Sequence, residues 1–230
     1  MVKVLIAEDN MPISIHLSNV INFTKSAQVV SIINDGTKVY EAIKLLKPEI
    51  VILDLKLQKE DGFEILRKIE NDISLNTRVV IYSEETSYIN KVLKFKNVER
   101  IFNKIEPYED IGLEIQRIAK DIANEELEKK IYEILFKMGF RAEHKGTQLI
   151  KECIEMSTKE KQENLKIIYE KLSKTEEKKS YTIKADIQGA VNKMWLYGNK
   201  EKIRRFLRLG EYEKPSPKCV VSMVRYYIEQ

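Results

Sequence analysis

Four short apolar runs, rich in β-branched residues and each followed at once by a polar or charged residue, constrain this chain more than any other feature. They are Val2-Lys3-Val4-Leu5-Ile6-Ala7 before Glu8 and Asp9, Ile50-Val51-Ile52-Leu53 before Asp54, Val79-Val80-Ile81-Tyr82 before Ser83, and Arg100-Ile101-Phe102-Asn103 before Lys104. Runs of this length, with helical patterns between them, read as parallel strands covered on both faces. In such a sheet the carboxyl ends of the strands line one crevice. The expectation is therefore that three carboxylates, a hydroxyl and an ammonium meet in one place.

That set supports a specific chemistry. Crowded carboxylates repel unless a cation sits among them, and oxygen-only ligands suit a hard divalent ion such as Mg²⁺. The ion would neutralise an incoming phosphoryl group and leave one carboxylate to act as its acceptor. A lysine offers a point charge to phosphate oxygens, and a hydroxyl offers a hydrogen bond. Any one acid after a strand also reads as a helix N-cap. Five polar residues in register, distributed over four strand ends, are not explained by capping.

The stretch from Met1 to about Lys120 resembles the receiver domain of two-component response regulators. The resemblance is carried by the pair Glu8-Asp9, by Asp54, by Asp61-Gly62, by Ser83 and by Lys104. It implies a flavodoxin-like, doubly wound, five-stranded parallel sheet in which Asp54 takes a phosphoryl group from a phosphohistidine. It also implies Mg²⁺ held by Asp9, Asp54 and the backbone carbonyl of Lys56, with Glu8 helping through water, and phosphoryl oxygens sensed by Ser83 and Lys104. The chain departs from the family pattern at four places. Leu57-Gln58 stands for Met-Pro, Ile105 for the proline after the lysine, Glu84 for a small residue, and Ile101 for the aromatic that swings inward on activation. Phe102 is one residue away, and on a strand that points it to the other face.

At 230 residues the chain has room for a second domain with its own core. Residues 1–120 hold 17 Lys+Arg against 18 Asp+Glu, whereas residues 121–230 hold 23 against 18. The basic excess, net +5, lies wholly in the second half, as expected of a part that meets phosphates. No apolar run approaches the roughly 18 residues that span a bilayer, and the N-terminus leads straight into a strand, so a cytoplasmic protein without membrane attachment is expected. Cys153 and Cys219 lack CxxC spacing and read as free thiols. His16 and His144 have no metal-ligand partner at useful spacing. The boundary is expected at 122/123, with Asn124 capping a new helix whose first turn is Glu125-Glu126.

Beyond it the periodicity is helical throughout, giving an all-α domain of about six helices over residues 123–230. Successive apolar faces are Ile131/Ile134/Leu135/Met138, Leu149/Ile150/Cys153/Ile154, Leu165/Ile168/Tyr169/Leu172 and Ile183/Ile187/Ala190/Val191/Met194/Trp195. Two shorter helices follow, around 203–209 and 219–228. A polar turn at 173–180 separates the third and fourth faces, which suits a helix-turn-helix at about 160–196. From Leu127 onward the chain is similar to the output domain of the stage-zero sporulation transcription factor family of endospore-forming bacteria. Ile134-Leu135-Phe136-Lys137-Met138-Gly139, Ala142, Lys145-Gly146, Leu149, Tyr169, Ile183, Ile187, Ala190, Trp195 and Gly198 carry that similarity. In the recognition helix the family's buried positions are kept, but three of its arginines are Thr182, Ala185 and Gln188 here.

The similarity implies double-stranded DNA as partner, and the candidates for contact are Lys145, Lys178, Lys179, Tyr181, Thr182, Lys184 and Gln188. The alternative for the same residues is a solvated turn and an exposed helix face beside Glu176-Glu177 and Asp186. Together the two halves imply a non-enzymatic response regulator. A sensor histidine kinase or phosphotransfer protein would phosphorylate Asp54, driving homodimerisation and transcription control. The alternative is a receiver whose output domain engages a protein instead of a DNA sequence.

Overall fold

The computed structural model describes residues 1–84 and 89–230. They form two compact units, residues 1–122 and 123–230. In the first unit, strands β1 (Val2–Ala7), β2 (Ala27–Ile33), β3 (Ile50–Leu53), β4 (Arg78–Ser83) and β5 (Val98–Asn103) alternate with helices. The helices are α1 (Met11–Phe23), α2 (Gly36–Leu46), α3 (Gly62–Asn71), the short α4 (Ile89–Val92) and the start of α5 (Tyr108–Lys137). Every strand pair is parallel, in the order β2-β1-β3-β4-β5. This is the doubly wound five-stranded sheet that the sequence predicts, with a crevice where the strand order reverses beside β1 and β3.

The two-residue strand period sorts the core into two layers. Val4, Ile6, Ile50, Ile52, Val80, Tyr82 and Phe102 face one way, with Leu17 and Ile21 of α1 and Ile111, Ile115 and Ile118 of α5. Leu5, Ala7, Val51, Leu53, Val79 and Ile81 face the other, with Val39 and Ile43 of α2 and Ile65, Leu66 and Ile69 of α3. Asn10, Asp35 and Asp61 begin α1, α2 and α3 by accepting backbone N–H bonds from Ile13, Thr37 and Phe63.

One helix differs from expectation. Asn124 caps nothing: α5 runs unbroken for 30 residues, from Tyr108 to Lys137. Neither Gly nor Pro occurs between Gly112 and Gly139, so no residue there opposes helix continuation. Gly139, at φ +93°, ends it. The N–H of Gly139 donates to Phe136 O at 2.9 Å and that of Phe140 to Leu135 O at 3.0 Å, a Schellman closure.

In the second unit the last turns of α5 pack with α6 (Lys145–Lys159), α7 (Leu165–Thr175), α8 (Ser180–Tyr197), α9 (Lys200–Leu207) and α10 (Pro217–Ile228). The predicted apolar faces form its core, with Ile131, Leu135, Ile150, Cys153, Ile168, Ile183, Ile187, Val191 and Val224 fully buried or nearly so. Helices α7 and α8 are the expected helix-turn-helix pair, separated by residues 176–179. No described helix is long and apolar enough to cross a membrane.

Candidate functional site

The strand ends bring Glu8, Asp9, Asp54 and Lys104 together and set Ser83 at the end of the adjoining strand β4. Asp54 N donates to Ala7 O at 2.9 Å, extending the β1–β3 ladder one residue past the strands and bringing Asp54 beside Glu8. Lys104 N donates to Ser83 O at 3.3 Å and does the same for β4 and β5. Glu8, Asp54 and Ser83 are buried, whereas Asp9 and Lys104 are half-buried.

Lys104 is the electrostatic centre of the pocket. Its Nζ donates to Asp54 Oδ2 at 2.8 Å and to Glu8 Oε1 at 3.0 Å, and lies 2.8 Å from Glu8 Oε2. Burial opposes the lysine's charge, but the Asp54 and Glu8 carboxylates outweigh it and hold the ammonium above its ordinary range. Burial pushes the Glu8 carboxyl up, against the pull of Lys104 and of the Asn10 N–H. Asp54 Oδ1 accepts the N–H of Lys56, on the turn that follows β3.

Carboxylate oxygens of Glu8, Asp9 and Asp54 all lie within 4.8 Å of one another. One ammonium cannot neutralise three carboxylates, and an all-oxygen set of this span fits a hard divalent cation. Ser83 Oγ is buried without a hydrogen-bond partner among the described residues. A buried hydroxyl without a partner is destabilising unless something in the crevice accepts from it.

Asp61-Gly62 is explained by the same crevice. Gly62 N donates to Leu55 O at 3.1 Å, and a Cβ on Gly62 would stand 2.7 Å from both Asp54 O and Leu55 Cα. Only glycine lets the start of α3 come this close to the backbone of Asp54. Of the four departures, Leu57 is buried in the core layer between sheet, α2 and α3, and Glu84 is exposed. Ile105 is exposed, and its N–H, which a proline would lack, donates to Asn103 Oδ1 at 3.0 Å. Ile101 and Phe102 pack into opposite core layers.

In the second unit the nucleic-acid candidates do not share one environment. Tyr181, Lys184 and Gln188 line a groove of ≈ 910 Å³ beside α8. Lys166, at the start of α7, and Lys218, at the start of α10, line it too. Sequence reasoning missed both lysines, because nothing local ties these helix starts to α8. Lys178 is paired with Glu176 at 3.2 Å, and its ammonium lies against that of Lys145, holding the Lys145 amine below its ordinary range. Lys179 Nζ lies 5.9 Å from the Tyr181 ring, and Thr182 is half-buried. Two arginines at the end of α9 are engaged by rings: Arg204 covers Trp195 at 5.3 Å, and Arg208, the C-cap, covers Tyr226 at 4.8 Å. Trp195 packs against the core, His16 stacks on Tyr108 at 4.5 Å, and both cysteines are free thiols.

Residues 4–110 match the family model described as response regulator receiver domain, and residues 131–228 match that of "Sporulation initiation factor Spo0A C terminal". A protein-glutamate methylesterase/protein-glutamine glutaminase from Syntrophus aciditrophicus is 31% identical over 83 residues, 36% of this chain and 23% of that protein. One from Geobacter metallireducens is 27% identical over 125 residues, 54% of this chain and 34% of that protein. The chain spans about a third or less of the length of these relatives, and the likeness is confined to the receiver domain. Among solved structures, the REC domain of AraT, a response regulator from Geobacillus stearothermophilus, superposes with a TM-score of 0.50 at 20% identity. It covers 55% of this chain and 99% of that one. That likeness shows the fold.

Proposed function

We propose that this chain, a response-regulator receiver domain joined to a Spo0A-type C-terminal domain, is a transcription regulator switched by phosphorylation of Asp54. The observation that carries the reading is the pocket itself: a buried carboxylate held by Lys104 and flanked by two acids, with a buried hydroxyl at the end of the neighbouring strand that has no partner among the described residues. The donor is a phosphohistidine on a sensor kinase or phosphotransfer protein. An Asp54 oxygen forms the new O–P bond as the N–P bond breaks, and the departing imidazole nitrogen takes a proton from solvent. Mg²⁺, held by Asp9, Asp54 and the Lys56 carbonyl with Glu8 acting through water, would supply positive charge to the phosphoryl oxygens. Lys104 neutralises one phosphoryl oxygen, and the Ser83 hydroxyl donates to another.

The output reading is sequence-directed DNA binding through α8, by a phosphorylation-dependent dimer in the cytoplasm. A second reading has an observation of its own. Thr182, Ala185 and Gln188 supply no guanidinium to read bases, and Lys178 is engaged by Glu176. An output domain that docks on a protein follows from these.

Two experiments test this. Labelling with acetyl phosphate and Mg²⁺ is expected in the wild type and absent in Asp54→Asn, and labelling that persists in the variant moves the acceptor elsewhere. Chromatin capture of the tagged wild type against Asp54→Asn then separates the outputs. A motif enriched only in the wild type supports the DNA reading, and its absence with a phosphorylated, expressed protein supports the docking reading.

A further inference from the structure

Lys104 reaches Asp54 and Glu8 from a turn, and two side chains that the chemistry above does not use hold that turn. Residues 103–106 close a β-turn after β5, in which Glu106 N donates to Asn103 O at 2.9 Å. Glu106 Oε1 accepts the N–H of Asn103 at 2.6 Å, and Asn103 Oδ1 accepts that of Ile105 at 3.0 Å. Asn103 Nδ2 donates to Glu84 O at 3.3 Å, just past the end of β4. Lys104 N donates to Ser83 O at 3.3 Å, and Lys104 O accepts from the Tyr82 hydroxyl at 3.4 Å. Every backbone N–H from Asn103 to Glu106 is thus engaged, and two of those four bonds end on the side chains of Asn103 and Glu106.

The spacing of Asn103 and Glu106 is that of a capping box, yet the pair starts no helix. Such a box would make residue 104 the first helical position, whereas α5 begins at Tyr108, after Pro107. What these bonds stabilise is the turn itself, and the residue at its first corner is Lys104. A bond accepted by a carboxylate is charge-assisted, which makes the Glu106 tie the stronger of the two. Both side chains are half-buried, and partial exclusion of water strengthens their bonds further.

Placement of that corner matters because a lysine stem is flexible and brings no rigidity of its own. The ammonium lies 2.8 Å from each of two carboxylates, on a side chain only 10% exposed. How well it is fixed there depends on how well the turn fixes the Lys104 backbone. We infer that Asn103 and Glu106 are positioning residues that set Lys104 for phosphoryl transfer, a step that rests on the reading of Asp54 as acceptor. With acetyl phosphate as donor, an Asp54 oxygen bonds to phosphorus as acetate leaves with the electron pair of the broken P–O bond. An ammonium already in place meets the phosphoryl oxygens without reorganisation.

The test is a set of variants of the full chain with three readouts. Calorimetry in a chelator compares the melting shift caused by Lys104→Met in the wild type with that in Asn103→Ala and Glu106→Ala backgrounds. In those backgrounds the shift should fall below about half its wild-type size, because the ammonium is already loosened. Labelling by acetyl phosphate with Mg²⁺ should slow about tenfold in either Ala variant. Glu106→Gln, which keeps an acceptor for the Asn103 N–H, should stay within about threefold of the wild type. Mg²⁺ affinity, from titration calorimetry, should hold or tighten in the Ala variants, since a loosened ammonium competes less for Glu8, Asp9 and Asp54. A merely structural defect would weaken it. Equal Lys104→Met shifts in all backgrounds overturn the inference. So does labelling at the wild-type rate in the Ala variants, or Mg²⁺ affinity that falls together with the rate. A wild type that takes no label while the melting shifts remain coupled rejects Asp54 as acceptor and leaves the positioning of Lys104 standing.

Discussion

Replacing Lys104 with methionine isolates the electrostatics of the receiver pocket. The lysine side chain is 10% exposed and contacts carboxylates that are 1% and 4% exposed, Glu8 and Asp54, at 2.8 Å each. Methionine keeps the stem and removes the charge. Breaking a buried pair by deleting one partner costs about 3–5 kcal/mol, because the other charge stays buried without compensation. The repulsion left behind is of similar size: two like charges at the 4.8 Å span of this cluster repel by about 3.5 kcal/mol at an effective dielectric of 20. For a unit of this length, 1 kcal/mol moves the midpoint by roughly 3–5 °C, so Lys104→Met should lower the receiver transition by about 10–20 °C. Calorimetry of the full chain in a chelator, where the second unit serves as an internal reference, measures it.

A second variant makes the reasoning refutable. Asp54→Asn in the Lys104→Met background removes one of the three mutually repelling charges and should recover about 2–3 kcal/mol. Mg²⁺ should raise the Lys104→Met transition more than that of the wild type, since the variant pocket carries one more uncompensated charge. At tenfold excess over its Kd the ion contributes about 1.4 kcal/mol. A Lys104→Met protein within about 1 kcal/mol of the wild type would refute the argument, as would a double variant no more stable than the single.

Three further outcomes follow from single sites. Gly62→Ala places a Cβ 2.7 Å from the Asp54 carbonyl; it should cost about 1–3 kcal/mol by overpacking. It should also slow acetyl-phosphate labelling roughly tenfold or more through misplacement of the acceptor, and an unchanged melting point and labelling rate would count against the close approach. Gly189 has nothing within 4 Å of an added Cβ, so Gly189→Ala should stabilise α8 by about 1 kcal/mol in urea titration, and destabilisation would contradict this helix geometry. Burial pushes the Cys153 thiol up to about 12, with Glu152 adding to it. A raised acid pKa means full stabilisation below the ordinary thiol value near 8.5–9 and loss as pH climbs through about 12. The wild type should therefore lose stability over that window relative to Cys153→Ala, and parallel profiles would show that the thiol ionises equally in both states.

The pocket was legible because the chemistry sits where strands must end. An apolar run buried on both faces cannot continue through Glu8, Asp54 or Lys104, so the residue that stops the strand is the residue that lines the crevice. The edge strand β2 was not singled out: Ala27-Gln28-Val29-Val30-Ser31-Ile32-Ile33 mixes apolar and polar residues because most of it is only half-buried. The continuity of α5 was illegible for a different reason. Asn124-Glu125-Glu126 is a sound cap and acidic first turn, and it is equally sound helix interior; tertiary packing, not local propensity, decides between them. Lys166 and Lys218 were missed because a groove beside α8 is built by helix starts that are distant in the chain.

The relay out of the pocket is constrained by strand parity. The resemblance to receivers leads one to look for an aromatic ring on β5 that turns inward when the acceptor is modified. Phe102 cannot be that ring, since it packs with α1 and α5 while Ile101 packs on the opposite face of the sheet. What links the loops after β4 and β5 is Asn103. Its Nδ2 donates to Glu84 O at 3.3 Å and its Oδ1 accepts from Ile105 N at 3.0 Å, so one side chain ties the residue after Ser83 to the residue after Lys104. Ile105 can take part only because it is not proline. Asn103 thereby joins the end of β4 to the turn after β5 through hydrogen bonds from its side chain to the backbone of each. The departure at 105 thus supplies a backbone N–H bond that a proline there has no hydrogen to make.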